Sequence, residues 1–191
     1  MSISNDPAVL STGVARRLPG DLAMWIFILA ELAVFGILIL AFAVTQMLQI
    51  ELFRESRLAL DSSTGLALTL GLLTSGLFAA LAVEQVRANR QDRAGWLLFA
   101  ALLSAGVYVV LKLQEYGHLA GLGYGLEYNT FFTLYWLLTG FHFLHVLLGM
   151  LILGYMANRC RTGAYAPGTS RSGLESGVLY WHMVDLVWVL L

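Results

Sequence analysis

Long apolar runs constrain what this chain can fold into. They cover roughly residues 22–50, 64–86, 94–116, 130–157 and 177–191. A bilayer core takes about 20 apolar residues of helix to cross, and backbone groups in lipid must be satisfied within the protein. None of the runs shows the roughly ten-residue alternation of a barrel strand. The expected fold is therefore all-α, a polytopic membrane helix bundle with five transmembrane helices. The last run is only 15 residues long and stops without a polar flank, so its helix is read as one cut short. Composition agrees: 59% of the residues are hydrophobic and 12% charged, against about 25% charged in soluble domains. A formal net charge of −1 argues against a nucleic-acid partner. The single cysteine, Cys160, lies between Arg159 and Arg161. It rules out an internal disulfide and is read as a plain thiol at a helix end.

Loop charges orient the bundle. Arg16 and Arg17, then Arg87, Arg90 and Arg93, then Arg159, Arg161 and Arg171 fall on one side, eight in all, against Arg54 and Arg57 on the other. By the positive-inside rule the N-terminus is cytoplasmic and the last helix ends outside. Residues 1–20 read as a flexible cytoplasmic tail and 21–191 as one membrane bundle. The run after Asp21 is too long for the core of a signal peptide and contains Glu31, so it reads as a permanent helix. No internal repeat of the transporter kind is evident.

Ionisable groups inside such runs need a partner or a polar cavity. Glu31 sits well inside the first helix, where it is either a carboxyl bonded to another helix or part of a proton path. Lys112 and Glu115 stand three apart near the end of the third helix, on one face with Tyr116, which suits an intrahelical ion pair at the outer boundary. Glu84 and Arg87 have the same spacing at the end of the second. On the fourth helix Thr139, His142, His145 and Gly149 form one stripe, and Gly140 and Gly149 offer close approach to a neighbour. The fifth carries Glu175, His182 and Asp185, so imidazoles on one helix face carboxylates on others. His118 is read as lying in a loop. Two sharper readings use the same residues. One is a small haem b electron carrier with His142 or His145 and His182 as axial ligands. The other is a proton channel built on Glu31 and Asp185.

Four blocks, in order, carry a family resemblance. They are Trp25, Ile26, Phe27, Ile28, Leu29, Ala30 and Glu31 with Phe35; Lys112, Leu113, Gln114, Glu115 and Tyr116; Thr139, Gly140, Phe141, His142, Phe143, Leu144, His145 and Val146 through Gly149; and Glu175 with Tyr180, Trp181, His182 and Asp185 to Trp188. With them the sequence resembles subunit III of the haem-copper oxidases. It resembles the short five-helix forms, among them the subunit III of quinol oxidases and the NorE-type proteins associated with nitric oxide reductase. Phe53, Arg54, Glu55 and Ser56, with the 112–116 block, look closer to the NorE-type members.

The resemblance implies an accessory subunit of the bacterial inner membrane with no redox metal and no catalytic residue of its own. Such a subunit packs against the catalytic subunit of an oxidase or nitric oxide reductase and supports assembly, proton uptake or turnover stability. Haem and copper, or non-haem iron, are then expected in that partner. Membrane lipid is a further expected contact, although the two helices that frame the family's phospholipid cleft are absent here. The chain has four histidines in total, too few for the six ligands of a haem–copper centre.

Overall fold

The computed structural model describes residues 22–165 and 171–191, so the reading of residues 1–20 falls outside it. Six α-helices follow one another: α1 Leu22–Leu48, α2 Ile50–Arg57, α3 Ser62–Arg87, α4 Gln91–Gly121, α5 Thr130–Arg161 and α6 Ser172–Leu190. No strand occurs among the described residues. The chain is a helical membrane bundle. The helices α1, α3, α4 and α5 are long and apolar enough to cross a membrane. The helix α6 is not one of them by that measure; it reaches back to Ser172, five residues before the apolar run begins.

Local chemistry sets the ends. Asp61 caps α3, its carboxylate accepting from the backbone N–H of Ser63 at 3.1 Å and Thr64 at 3.2 Å, the usual way the first orphan donors of a helix are satisfied. Asn129 caps α5 by accepting from Phe132 N–H at 2.9 Å. The turn from α3 to α4 closes within residues 88–90, because Asn89 takes a left-handed conformation (φ 60°) and Arg90 N–H bonds back to Gln85 O at 2.8 Å. Asparagine tolerates that conformation better than most side chains. Gly123 does the same after α4, where Tyr124 N–H reaches Leu119 O at 3.0 Å.

Small residues bring α3 and α4 together. Ala79, Ala82, Ala94, Ala101 and Ala105 are buried, and two serines cross the gap: Ser75 Oγ donates to Ala101 O at 2.8 Å and Ser104 Oγ to Gly71 O at 2.7 Å. Interfaces of this kind suit lipid, where close packing and interhelical hydrogen bonds replace the hydrophobic effect. The helix α6 packs against α5, α3 and α1. At Gly149 of α5 an added Cβ would lie 2.6 Å from Trp181 Cε3, and at Gly177 of α6 another would lie 2.5 Å from Met156 Sδ. Both glycines are therefore what lets α5 and α6 touch. Gly140, paired with Gly149 in the sequence reading, has nothing within 4 Å among the described residues and faces no neighbour.

Two more expectations change here. Arg54 and Arg57 lie in the short helix α2, not a loop, and Phe53 of that helix is buried against Phe42 and Phe131. The helix α4 runs on to Gly121, so His118 occupies its last turn and not a loop.

Candidate functional site

Polar groups gather at three successive turns of α5, and the α6 carboxylates pair apart from them. The first is centred on Lys112 of α4, whose side chain is only 2% exposed. Its Nζ donates to Glu115 Oε2 at 3.1 Å and to Tyr135 Oη at 2.8 Å, while Tyr135 O–H donates to Glu115 Oε1. Rings of Tyr116, Tyr135 and Trp188 stand 4.9, 4.9 and 5.3 Å from the ammonium. The i, i+3 ion pair is present. Its ammonium is buried beneath aromatic faces. A cation removed from water needs this combination of counter-ion, hydrogen bonds and ring quadrupoles. Tyr116 O–H extends the network to Thr139 Oγ1 at 3.0 Å, and Thr139 in turn donates to Tyr135 O at 2.6 Å.

One turn further along α5, His142 is wholly buried. It lies among Phe35, Tyr108 and Trp188, with ring centroids at 6.2, 6.3 and 5.2 Å. Neither ring nitrogen has a hydrogen-bond partner among the described residues, nor does the Tyr108 hydroxyl.

The next turn holds the contact between first and fifth helices. His145 Nδ1 bonds to Phe141 O at 2.8 Å and Nε2 to Glu31 Oε2 at 3.0 Å. A carbonyl can only accept, so Nδ1 carries a proton. The short Nε2···Oε2 contact then needs one proton shared between imidazole and carboxyl, as an ion pair or as a neutral pair. Tyr180 O–H donates to His145 O at 3.3 Å, so α1, α5 and α6 meet at this residue. Both nitrogens of His145 are committed, which leaves neither lone pair for an axial bond to haem.

The carboxylates of α6 pair elsewhere. Glu175 accepts from Arg87 at 2.9 Å, so Arg87 bridges α3 to α6 instead of pairing with Glu84 on its own helix. Asp185 is buried against Gly76 of α3, its Oδ2 occupying the space a side chain there would fill. Its other oxygen has no partner among the described residues. His182, grouped by sequence with the buried polar residues, instead leaves 44% of its side chain exposed, with Nδ1 3.8 Å from Asp185 Oδ2. So the α5 imidazoles do not meet the α6 carboxylates. Among the described residues no three His, Cys, Asp or Glu side chains cluster as a metal site would need.

Sequence reasoning missed Tyr135, Tyr108, Trp188 and Gly76. Tyr135 was within reach: it stands four residues before Thr139 and continues the α5 stripe toward the start of the helix. Trp188 lay inside the fourth quoted block. Gly76 and Tyr108 carry no local signal, because their roles depend on which helices become neighbours.

Comparisons with known proteins extend these observations. The family model described as "Cytochrome c oxidase subunit III" matches residues 14–191. Cytochrome c oxidase subunit 3 of Synechocystis sp. is 36% identical over 110 residues, which are 56% of this chain and 46% of that protein. Quinol oxidase subunit 3 of Bacillus subtilis is 28% identical over 175 residues, 88% of this chain and 81% of that one. A haem-copper oxidase subunit I+III of Aeropyrum pernix is 28% identical over 88% of this chain, which covers 21% of that protein. The chain spans about half the length of the two cytochrome c oxidase relatives from Synechocystis and Thermostichus vulcanus, 46% and 52% of them.

Proposed function

Because the chain belongs to the cytochrome c oxidase subunit III family, we propose that it is a non-catalytic accessory subunit that docks on the catalytic subunit of a respiratory haem-copper enzyme. The observation that carries this is a family match running through nearly the whole bundle. The Aeropyrum relative, named for subunits I and III in one protein, supports it. The redox chemistry then lies in the partner, where haem and copper or non-haem iron would sit. This chain's buried polar groups serve to hold its own helices in register.

Two finer readings belong to the same proposal. The helix α6 crosses the bacterial inner membrane with the other four long helices, the N-terminus being cytoplasmic; the arginines at the ends of α3 and α5 and the starts of α4 and α6 support that orientation. A nitric oxide reductase is the partner we favour over an oxidase, on the resemblance of the 53–56 and 112–116 segments. The matched relatives themselves are named for cytochrome c and quinol oxidases.

The test is deletion of the gene followed by oxygen and nitric oxide consumption by membranes. The expected outcome is a lowered but persistent rate with nitric oxide, and recovery of the tagged chain together with a haem-containing enzyme. Lowered oxygen consumption alone would move the partner to an oxidase. Unchanged rates with both substrates, and no coeluting haem enzyme, would overturn the accessory role.

A further inference from the structure

The helix α6 is the most enclosed of the bundle, yet one strip of it is open. His182, Leu186 and Val189, four and three residues apart, are exposed on a helix whose other faces are covered by α1, α3 and α5. Leu73 and Leu77 of α3 flank the strip. Together they enclose a notch of about 320 Å³ floored by Gly76 and Asp185. The notch has leucines at its rim and the Asp185 carboxyl at its base, on a bundle surface that elsewhere exposes many large apolar side chains. His182 lies ten residues from the start of α6 and eight from its end, roughly 12 to 15 Å from either terminus at 1.5 Å per residue. An imidazole cannot snorkel that far, and lipid tails offer no hydrogen bond. With Nδ1 turned to Asp185, ring geometry places Nε2 on the opposite, outward side.

We propose that the His182–Asp185 notch seats a membrane helix of the catalytic subunit, one that presents a hydroxyl or amide side chain to His182. The inference rests on the accessory-subunit reading and names the surface that reading requires. A small or slender residue on the incoming helix fits between Leu77 and Leu186, and its hydroxyl or amide meets the imidazole Nε2. Gly76 has a defined part in this. Without its hydrogen in place of a side chain, Asp185 could not lie flat against α3 and the floor of the notch would be lifted.

The experiment uses the intact complex in native membranes. A photoreactive amino acid replaces Leu77 or Leu186 at the notch, and Leu103 or Leu151 on the exposed faces of α4 and α5. Irradiation should join the chain to the catalytic subunit from Leu77 and Leu186 and not from Leu103 or Leu151. In parallel, His182→Leu should lower the fraction of chain retained on the purified enzyme about threefold, the worth of one interhelical hydrogen bond. His182→Gln should restore it, and both variants should melt like the parent when isolated. Failure of the unmodified chain to copurify with any haem enzyme would sink the accessory role and this proposal with it. Copurification with adducts only from Leu103 or Leu151, adducts joining two copies of this chain at Leu77 or Leu186, or undiminished retention of His182→Leu would overturn the notch while leaving the accessory role standing.

Discussion

Lys112 and Glu115 stand or fall as a pair, because each is buried mainly with the other and Tyr135 for company. Lys112→Met strands a carboxylate beside a tyrosine and should destabilise the bundle by about 3 to 5 kcal/mol. Adding Glu115→Gln removes the stranded charge while keeping an acceptor for Tyr135, and most of the loss should return. Equilibrium unfolding in detergent, run as a double-mutant cycle, measures the coupling; additive losses would refute it. Gly149 and Gly140 make a second contrast at this scale. Gly149→Ala drives a methyl into Trp181 and should cost about 1 to 3 kcal/mol, whereas Gly140→Ala meets open space and should leave thermal unfolding unchanged. Sequence could name both glycines but could not separate them. Three-residue spacing reveals that Lys112 and Glu115 share a face, and four-residue spacing puts Tyr135 on the Thr139 stripe, but neither reveals that the two faces meet.

At the scale of elements, the cap of α3 offers a pH handle outside the membrane. Hydrogen bonds from the Ser63 and Thr64 hydroxyls, then from their backbone N–H groups, hold the Asp61 carboxyl at about 2, below its ordinary 3.8. A folded-state value below the unfolded one means the cap contributes fully above pH 3.8, and that contribution fades as pH falls toward 2. Asp61→Asn should therefore lower the thermal midpoint at pH 7 and make no difference near pH 2, which scans at the two pH values would check; an equal deficit at both would contradict it. The long helices were legible because each is an apolar run of membrane length. The helix α2 was not, since eight residues with four charges among them read as loop until Phe53 finds the aromatic cluster under α1 and α5. The end of α4 escaped for a related reason: residues 117–121 hold two glycines and a histidine, and Leu119 is their one large apolar side chain, yet the helix continues until Gly123 supplies the left-handed turn.

For the whole molecule, orientation is the sharpest claim. With Cys160 replaced by serine, a cysteine at Leu58, which is 85% exposed, should react with an impermeant reagent added outside spheroplasts. One at Ala88 should react only after lysis; the reverse pattern would invert the bundle. Which helices become neighbours was the part hidden from sequence. The α5 imidazoles looked ready for the α6 carboxylates, but α6 turns Asp185 and His182 toward α3, and it is α1 that provides a carboxylate to an α5 imidazole. That pairing sets a schedule for biogenesis. Glu31 and His145 are 114 residues apart, so at about 5 to 20 residues per second a ribosome takes on the order of ten seconds to deliver the second after the first. Throughout that interval α1 rests in the lipid ahead of the two long helices it will lean on, its carboxyl waiting. Made before α5 and α6, α1 must wait for both to find its place, and during synthesis it is a part of the chain that an insertion chaperone would have reason to hold.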